Sequence, residues 1–293
     1  MSIKEHLTSF AARFLKNRTL TKFNVCLGVL YLLRVVLCLL PQHGYVHPDE
    51  FFQFTEPMAV KATGIRGQLT WEWNEKQPIR SVVLPYLLAG SLFKLIKFLT
   101  GTNVICSYLM LVLPRLLFTL ISFSVDYLLW QCCLLARIAR FKEVLFVFAT
   151  SYLTFVHLGH TLTNSVETWL FAVLLYILIK SIRYRKEHNF KQLAFVLTLG
   201  IWNRPTFILY ALYPVGYWAT LENHSARKTL GNLKILSIRL LKLFSLVKLF
   251  SIAFILADTL FYQNDYVFSI VSLLRFLSCG QRPLSSFSVP FDH

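Results

Sequence analysis

Charged residues are scarce in this chain, and acidic residues are the scarcest of them. Only 15% of the 293 residues are charged, with 14 Asp and Glu against 30 Lys and Arg. Soluble domains carry charge on about a quarter of their residues, whereas the mean hydropathy here is +0.56. These values exclude a soluble globular domain. Several apolar runs reach the roughly 18–20 residues that cross a bilayer, so the sequence predicts an all-α polytopic membrane protein.

The sequence also lacks features that would indicate other classes of protein. It has no internal repeat and no low-complexity tract. Five of its six cysteines lie within apolar runs, which predicts small buried side chains rather than a disulfide framework or a zinc site. These are Cys26, Cys38, Cys106, Cys132 and Cys133. The first 22 residues are basic and contain no small-residue cleavage site, so we expect the first crossing to be an uncleaved anchor.

The net charge of +16 comes from short basic clusters between apolar runs, such as RIARFK at 137–142. This distribution is typical of cytosolic loops under the positive-inside rule and does not favour nucleic-acid binding. We therefore predict a cytosolic N-terminus (1–22), a membrane core (23–262) and a poorly structured tail (263–293). A luminal loop is expected at 42–102.

About seven crossings fit this charge pattern. They are 23–40, 103–135, 144–158, 168–182, the two arms of a hairpin at 191–221 that is broken at Asn203-Arg204-Pro205, and 243–262. If residues 81–98 also crossed, RIARFK would reach the luminal side. That stretch contains Pro85, Lys94 and Lys97, so we expect it to lie along the membrane interface.

The segment His47-Pro48-Asp49-Glu50 follows the first crossing and holds two adjacent carboxylates. A partly desolvated carboxylate near a like charge can have a raised pKa and act as a base. The alternative is an ordinary solvated turn, and the spacing alone does not decide between them. A metal site formed with His43 is disfavoured, because Pro48 interrupts the helix that would bring the two histidines together.

Further polar residues fall near the luminal face in this topology. Asn164 and Glu167 can either bind a sugar or phosphate ligand or form a capping box, and capping is favoured. Arg80 and Arg204 are candidate phosphate ligands or ordinary interfacial arginines. Three charged residues lie inside crossings, where each needs another helix or a cavity; they are Arg34, Arg115 and Asp126. Arg34 can alternatively extend toward the interface.

The stretch HPDEFFQ (47–53) resembles the signature of the family 22 glycosyltransferases of the endoplasmic reticulum membrane, which take mannose from dolichyl-phosphate mannose. Longer stretches are similar to one member in particular, and the resemblance covers residues 20–262. They are YVHPDEFFQFTEPMA (45–59), IRSVVLPYL (79–87), LPRLLFTLISFSVD (113–126), TNSVE (163–167) and WNRPTF (202–207).

This resemblance implies an inverting mannosyltransferase with the C-type glycosyltransferase (GT-C) fold and a luminal active site. Asp49 matches the position of the catalytic base, and Glu50 would orient it or contact the donor phosphate. The implied substrate-binding residues are His47, Gln53, Arg80, Asn164, Glu167 and Arg204. No metal or other cofactor is expected besides the donor, dolichyl-phosphate mannose. The expected partners are this donor, a glycolipid acceptor and the bilayer, with no nucleic acid.

The chain departs from the family pattern in two places. Relatives tend to carry an arginine where this chain has His160, which argues against a phosphate site there. The family continues through further crossings after residue 262, so we expect a shortened form. Three alternatives stay open: a related transferase acting on a glycosylphosphatidylinositol (GPI) precursor or a lipid-linked oligosaccharide, a non-catalytic membrane subunit, and a transporter. A transporter would place ionisable residues near the midplane and show repeats.

Overall fold

The computed structural model describes residues 18–40, 46–67, 69–74, 78–101, 106–184, 190–221 and 229–262. Within these ranges the chain is helical and has no β-strand, which confirms the all-α fold class. The predicted tail, 263–293, lies outside the described residues. Five described helices are long and apolar enough to cross a membrane; they are Lys22–Leu39, Val83–Thr100, Ser107–Leu135, Thr163–Tyr184 and Leu236–Tyr262.

The longer α-helices of the described residues are numbered here in chain order. They are α1 (Arg18–Leu39), α2 (Glu56–Thr63), α3 (Ser91–Thr100), α4 (Ser107–Leu135), α5 (Phe141–Ala149), α6 (Thr163–Tyr184), α7 (Phe190–Asn203), α8 (Phe207–Leu221) and α9 (Thr229–Tyr262). A short helical turn occupies Val83–Pro85 and a 3-10 helix Trp71–Trp73, while π-helices occupy Phe51–Thr55, Tyr86–Gly90 and Leu153–His157. The predicted count of about seven crossings stays a prediction, because α5, α7 and α8 are shorter than a full span.

The segment expected to be a polar luminal loop is largely helical where it is described. Its apolar side chains belong to the same core as those of the later helices, with exposed fractions of 2% or less for Phe54, Met58, Trp73 and Phe93. The Trp73 indole N–H donates to the Phe52 carbonyl at 3.0 Å, which holds the 3-10 helix against the π-helix. The described residues 46–67, 69–74 and 78–101 therefore form a helical cap that can support a rigid site.

Within this cap, residues 83–100 pack on the segments that precede them. Phe93 is buried against α2, whereas Phe98 and Leu99 on the opposite face are exposed. The Lys94 ammonium lies 5.0 Å from the centroid of the Tyr86 ring. The length and hydropathy of this stretch would allow a crossing, so its interfacial position stays a prediction.

The predicted crossing at 144–158 is discontinuous. Helix α5 ends at Ala149, and a π-helix follows at Leu153–His157. At the break, the Thr150 and Ser151 hydroxyls donate to the carbonyls of Phe146 and Phe148 at 2.7 and 2.8 Å. Hydroxyls that bond back to the helix compete with the backbone ladder, and apolar periodicity does not reveal this.

The predicted luminal turn at 160–167 is also shorter than expected. Helix α6 begins at Thr163, so the TNSVE motif forms its first turn instead of preceding it. The predicted hairpin, in contrast, is confirmed. Helices α7 and α8 are separated at Arg204-Pro205-Thr206, because proline disfavours helical geometry in the residue before it.

Helix α6 is the centre of the packing and contacts α4, α7 and α8. Val166, Leu170, Leu174 and Leu178 recur every fourth residue on its buried face, as expected for one side of an α-helix. Large apolar side chains on the outer helices are exposed, for example Leu209 at 73% and Tyr213 at 79%. Such a surface fits lipid contact better than water.

Helix α9 is tied to the cap by polar contacts at its end. Asp258 is fully buried, and its Oδ1 accepts from the Ser81 hydroxyl at 3.0 Å and the Val82 N–H at 2.9 Å. The Tyr262 hydroxyl donates to the Arg80 carbonyl at 2.9 Å. These bonds fix the start of the 83–100 stretch.

The cysteine prediction is confirmed for three positions and wrong for two. Cys38, Cys132 and Cys133 are buried, whereas Cys26 and Cys106 are exposed. An apolar run in a membrane protein has an outer face, so membership of the run does not imply burial.

Gly200 allows the close approach of α7 and α8, because a Cβ at this position would meet the ring of the fully buried Phe207. We expect Gly200→Ala to lower the stability by about 1–3 kcal/mol, as overpacking does. Gly216→Ala is the matched control on α8, since its Cβ would meet nothing within 4 Å. Thermal unfolding in detergent measures both, and equal melting temperatures for the two variants would contradict this packing.

The interfacial position of residues 81–98 predicts one-sided labelling. A cysteine that replaces the exposed Lys94, in a background without other cysteines, should react with an impermeant maleimide only from the luminal side of microsomes. Ile138→Cys, in the basic α4–α5 connection, is the control and should react only from the cytosolic side. Cytosolic labelling at position 94 would show that this stretch crosses.

Candidate active site

The turn before the first π-helix gives Asp49 and Glu50 opposite surroundings. Pro48 fits the first helical turn, where no backbone donor is needed, and the Glu50 N–H donates to the His47 carbonyl at 3.1 Å. The Asp49 side chain is 45% exposed, whereas that of Glu50 is 0% exposed. Two consecutive carboxylates thus face outward and inward, which indicates two different roles.

Glu50 is held by Arg115 of α4. The Arg115 Nε donates to Glu50 Oε1 at 2.7 Å, and Nη2 donates to Oε2 at 2.9 Å. Both side chains are at most 2% exposed. A two-point arginine–carboxylate pair fixes orientation as well as distance. The expectation that Arg115 needs a partner on another segment is therefore confirmed.

Both Glu50 oxygens face Arg115 inside the protein, so the carboxylate is not accessible to a donor phosphate in this arrangement. The two roles suggested for Glu50 stay predictions. The pair with Arg115 holds Glu50 in place next to Asp49. The Glu50 carbonyl adds to this, because it accepts from the hydroxyls of Thr55 and Thr161 at 3.4 and 3.3 Å.

His47 lies beside the open carboxylate. Its Nδ1 accepts from the Asp49 N–H at 3.2 Å and lies 3.6 Å from Asp49 Oδ1. The imidazole is 57% exposed. His47 and Asp49 therefore share one accessible surface at the entrance of the helix.

A cavity of about 250 Å³ lies behind the turn, with a mixed polar and apolar lining. Its polar lining residues are Arg34, Arg115, Thr119, Ser122, Thr154 and His160. Burial lowers the pKa of His160 below its ordinary value, and the positive charge of Arg115 adds to this while Glu50 opposes it. A neutral imidazole therefore stands where relatives are expected to have an arginine.

Asn164, Glu167 and Arg204, which the sequence predicted to lie near one face, are brought together. The Arg204 Nη1 donates to Asn164 Oδ1 and lies 3.9 Å from Glu167 Oε2. The Thr206 hydroxyl donates to Glu167 Oε1 at 3.2 Å. The favoured capping box is wrong, because Asn164 lies within the first turn of α6 and its side chain bonds to Arg204 instead of the helix end.

Gln53 connects this group to the His47–Glu50 turn. Its Oε1 accepts from the Thr163 hydroxyl at 3.3 Å, and the Thr163 carbonyl accepts from Asn203 Nδ2 at 3.0 Å. Arg80 lines the same small space as Gln53. The Arg80 guanidinium makes a two-point pair with Glu72 at 3.2 and 3.1 Å, so an anion there would have to compete with Glu72.

Sequence reasoning left some residues of the site without a role. Arg34 is paired with Asp126 at 2.6 Å, not extended toward the interface as suggested. The contacts of Thr161 and Asp258 could not be found from the sequence, since both residues are ordinary near helix ends. The sequence did contain one signal, the isolated charges of Arg34, Arg115 and Asp126 in apolar runs. It predicted that each charge has a partner but did not identify the partner.

Within the described part of the chain, no three His, Cys, Asp or Glu side chains are grouped to hold a metal ion. The expectation that the reaction needs no metal is not tested by this observation and stays a prediction.

With this geometry in place, comparison with known proteins is informative. Residues 25–285 match the sequence profile of the Alg9-like mannosyltransferase family. The chain belongs to the Alg9-like mannosyltransferase family. The family-level resemblance seen in HPDEFFQ is thereby confirmed, and the helical architecture agrees with the GT-C fold of this family.

Several curated proteins are similar to this chain over much of its length. The human protein "GPI alpha-1,2-mannosyltransferase 4" is 36% identical over 206 residues, covering 66% of this chain and 35% of the relative. "GPI mannosyltransferase 4" of Drosophila melanogaster is 31% identical over 274 residues, covering 79% and 39%. The Saccharomyces cerevisiae protein of that name is 29% identical over 263 residues, covering 84% and 46%.

The chain spans less than half the length of each of these relatives. No solved structure matches it. The family and the fold are therefore established.

The opposite surroundings of the two carboxylates predict effects of very different size on the stability. We expect Glu50→Gln to lower the stability by about 3–5 kcal/mol, because it leaves the buried Arg115 charge without its counter-ion. Asp49→Asn is the matched control and should change the stability by no more than about 0.5 kcal/mol, since the side chain is exposed. Thermal unfolding in detergent would contradict this assignment if the two variants were equally stable.

Proposed function

We propose that this chain is the catalytic portion of a mannosyltransferase that acts at the luminal face of the endoplasmic reticulum membrane. It adds a fourth, α-1,2-linked mannose to the third mannose of the GPI precursor, and dolichyl-phosphate mannose is the donor. The names of the three relatives support a GPI acceptor, and the name of the human relative supports the α-1,2 linkage. The observation that carries the proposal is that Asp49 is open to a substrate while Glu50 is locked in place by Arg115.

Asp49 acts as the general base. Its carboxylate takes the proton from the 2-hydroxyl of the acceptor mannose as that oxygen attacks the anomeric carbon of the donor. The new carbon–oxygen bond forms while the bond from the anomeric carbon to the phosphate oxygen breaks, and the electron pair leaves with dolichyl phosphate. A single displacement turns the β-linked donor into an α-linked product. The phosphate leaves without a strong acid, so one carboxylate is enough, unlike in the hydrolases that use two.

Glu50 and Arg115 hold this base in place. Catalysis depends on the position of reacting groups to within a fraction of an ångström, and a half-exposed Asp49 on a free turn would not be so fixed. The Glu50–Arg115 pair anchors the next residue to α4, and the hydroxyls of Thr55 and Thr161 anchor its carbonyl. The turn is thus preorganised while the Asp49 carboxylate stays accessible.

The luminal group of Asn164, Glu167 and Arg204 is proposed to bind sugar hydroxyls. It presents amide, carboxylate and guanidinium groups, and Arg204 is 35% exposed. Gln53 lies between this group and the turn, through its bond to Thr163. The acceptor would therefore reach Asp49 along one polar surface, with the lipid chains of both substrates lying against the apolar helices.

The test is mannose transfer in microsomes from cells that lack the endogenous enzyme, supplied with dolichyl-phosphate mannose and a three-mannose GPI precursor. Three proteins are compared: this chain, the chain extended by the C-terminal helices of a relative, and Asp49→Asn in whichever is active. We expect Asp49→Asn to lower the transfer rate by about 10²–10⁴-fold, the usual contribution of a general base.

Two results would contradict the proposal. Transfer that is unaffected by Asp49→Asn would show that Asp49 is not the base. Transfer to a different acceptor, such as a lipid-linked oligosaccharide, would show that the substrate assignment is wrong. The thermal stability of Asp49→Asn is measured in parallel, so that a lost rate is not confused with a lost fold.

A further inference from the structure

An ion pair lies well inside the apolar helices, away from the proposed base. The Arg34 Nη1 of α1 donates to Asp126 Oδ2 of α4 at 2.6 Å, and both side chains are at most 3% exposed. Asp126 follows Arg115 by eleven residues on the same helix, which places it about 16 Å farther along the axis. Ionisable residues in such a position are rare and usually serve the function of the protein.

Arg34 also bonds to the broken helix. Its Nη2 donates to the Ala149 carbonyl at 3.1 Å, where α5 ends. The neighbouring carbonyl of Phe148 accepts from the hydroxyls of Ser151 and Thr154 at 2.8 and 2.7 Å. Arg34 therefore satisfies a backbone group that the break exposes, and it does so from a different helix.

Three aromatic rings surround the guanidinium. The Arg34 Cζ lies 5.4, 5.9 and 5.6 Å from the ring centroids of Tyr31, Phe123 and Phe155. These rings come from α1, from α4 and from the π-helix that follows the break. A cation near aromatic faces gains most when water is excluded. Arg34 thus joins the same three segments by charge, by hydrogen bonding and by ring contact.

The segment held by Arg34 leads directly to the His47–Glu50 turn. After the π-helix, Thr161 donates from its hydroxyl to the Glu50 carbonyl at 3.3 Å and lies 3.0 Å from the Thr55 hydroxyl. His160, in the same short connection, lines the cavity that Arg34 and Arg115 also line. One wall of that cavity is thus fixed at both ends, by Arg34 at the break and by Thr161 at the turn.

We propose that Arg34 and Asp126 are positioning residues for the transfer reaction: they set the position of residues 150–161 and, through Thr161, of the turn that carries Asp49. This rests on the proposed function only for its catalytic consequence. A buried ion pair adds little net stability compared with apolar residues of the same size, and it can instead specify one arrangement. Simple helix packing would not need a charge at this depth.

The decisive variant replaces the whole pair with apolar residues, Arg34→Met together with Asp126→Leu, because loss of one partner would leave a buried charge. Arg34→Lys is a second variant that keeps the charge balance but lacks the planar fork that serves Asp126 and Ala149 together. The matched control is Arg140→Met with Glu143→Leu, which removes an exposed pair at 3.7 Å.

The first readout needs no activity. Thr55→Cys and Thr161→Cys are introduced, since their hydroxyls lie 3.0 Å apart, and the rate of disulfide formation in microsomes with a mild oxidant is followed by mass spectrometry. Disulfide formation requires close and correctly directed side chains. We expect a rate about tenfold lower in the Met/Leu variant and a smaller decrease in Arg34→Lys, with the Arg140/Glu143 control unchanged.

The second readout is mannose transfer, with the native residues at positions 55 and 161. We expect kcat to fall by about 10–100-fold in the Met/Leu variant, the usual result of a misplaced base, while KM changes by less than about threefold. Parent-like disulfide formation in both Arg34 variants overturns the inference, as does a parent-like kcat in the Met/Leu variant. If the parent chain and its extended form transfer no mannose, the proposed function fails, and the disulfide rates still decide whether Arg34 positions the turn.

Discussion

A carboxylate that is removed from water in an apolar protein requires a cation or hydrogen-bond donors, and much of the site depends on how Glu50 meets this requirement. Its two-point pair with Arg115 joins the turn after α1 to α4, a helix of 29 residues. Because both groups are buried, neither can turn away without leaving the other as an unpaired buried charge. The adjacent Asp49 is thereby held at the surface although it makes few contacts of its own.

Interruptions of the helices place polar groups near the turn that carries Asp49 and Glu50. The π-helix at Phe51–Thr55 follows the two carboxylates, the break after Ala149 leads to His160 and Thr161, and the break after Asn203 presents Arg204 and Thr206. Irregular backbone at membrane depth is tolerated where it is buried in protein or lines a cavity. At the first two interruptions the carbonyls of Glu50 and Ala149 meet threonine hydroxyls and Arg34, so each of these also makes a contact between segments.

The same arrangement explains how a chain with few acids can build an active site. Of the acidic side chains in the described residues, Glu50, Asp126 and Asp258 are buried and each accepts hydrogen bonds from a different segment. They connect α4 to the turn, α1 to α4, and α9 to the cap. Asp49, in contrast, is left accessible. These three buried acids therefore organise the protein, whereas the accessible Asp49 is the proposed base.

The sequence by itself determined the class of protein, the helical hairpin at Asn203-Arg204-Pro205 and the family, because hydropathy, proline chemistry and the HPDEFFQ motif are local properties of the chain. It also indicated that Arg34, Arg115 and Asp126 need partners. Only the tertiary structure decided that Arg115 pairs with Glu50 and Arg34 with Asp126, that Asn164 bonds to Arg204 instead of capping α6, and that the 144–158 segment is broken. These outcomes depend on which helices lie side by side and at what depth, and apolar periodicity carries little information about either, since many pairings of similar helices bury the same area.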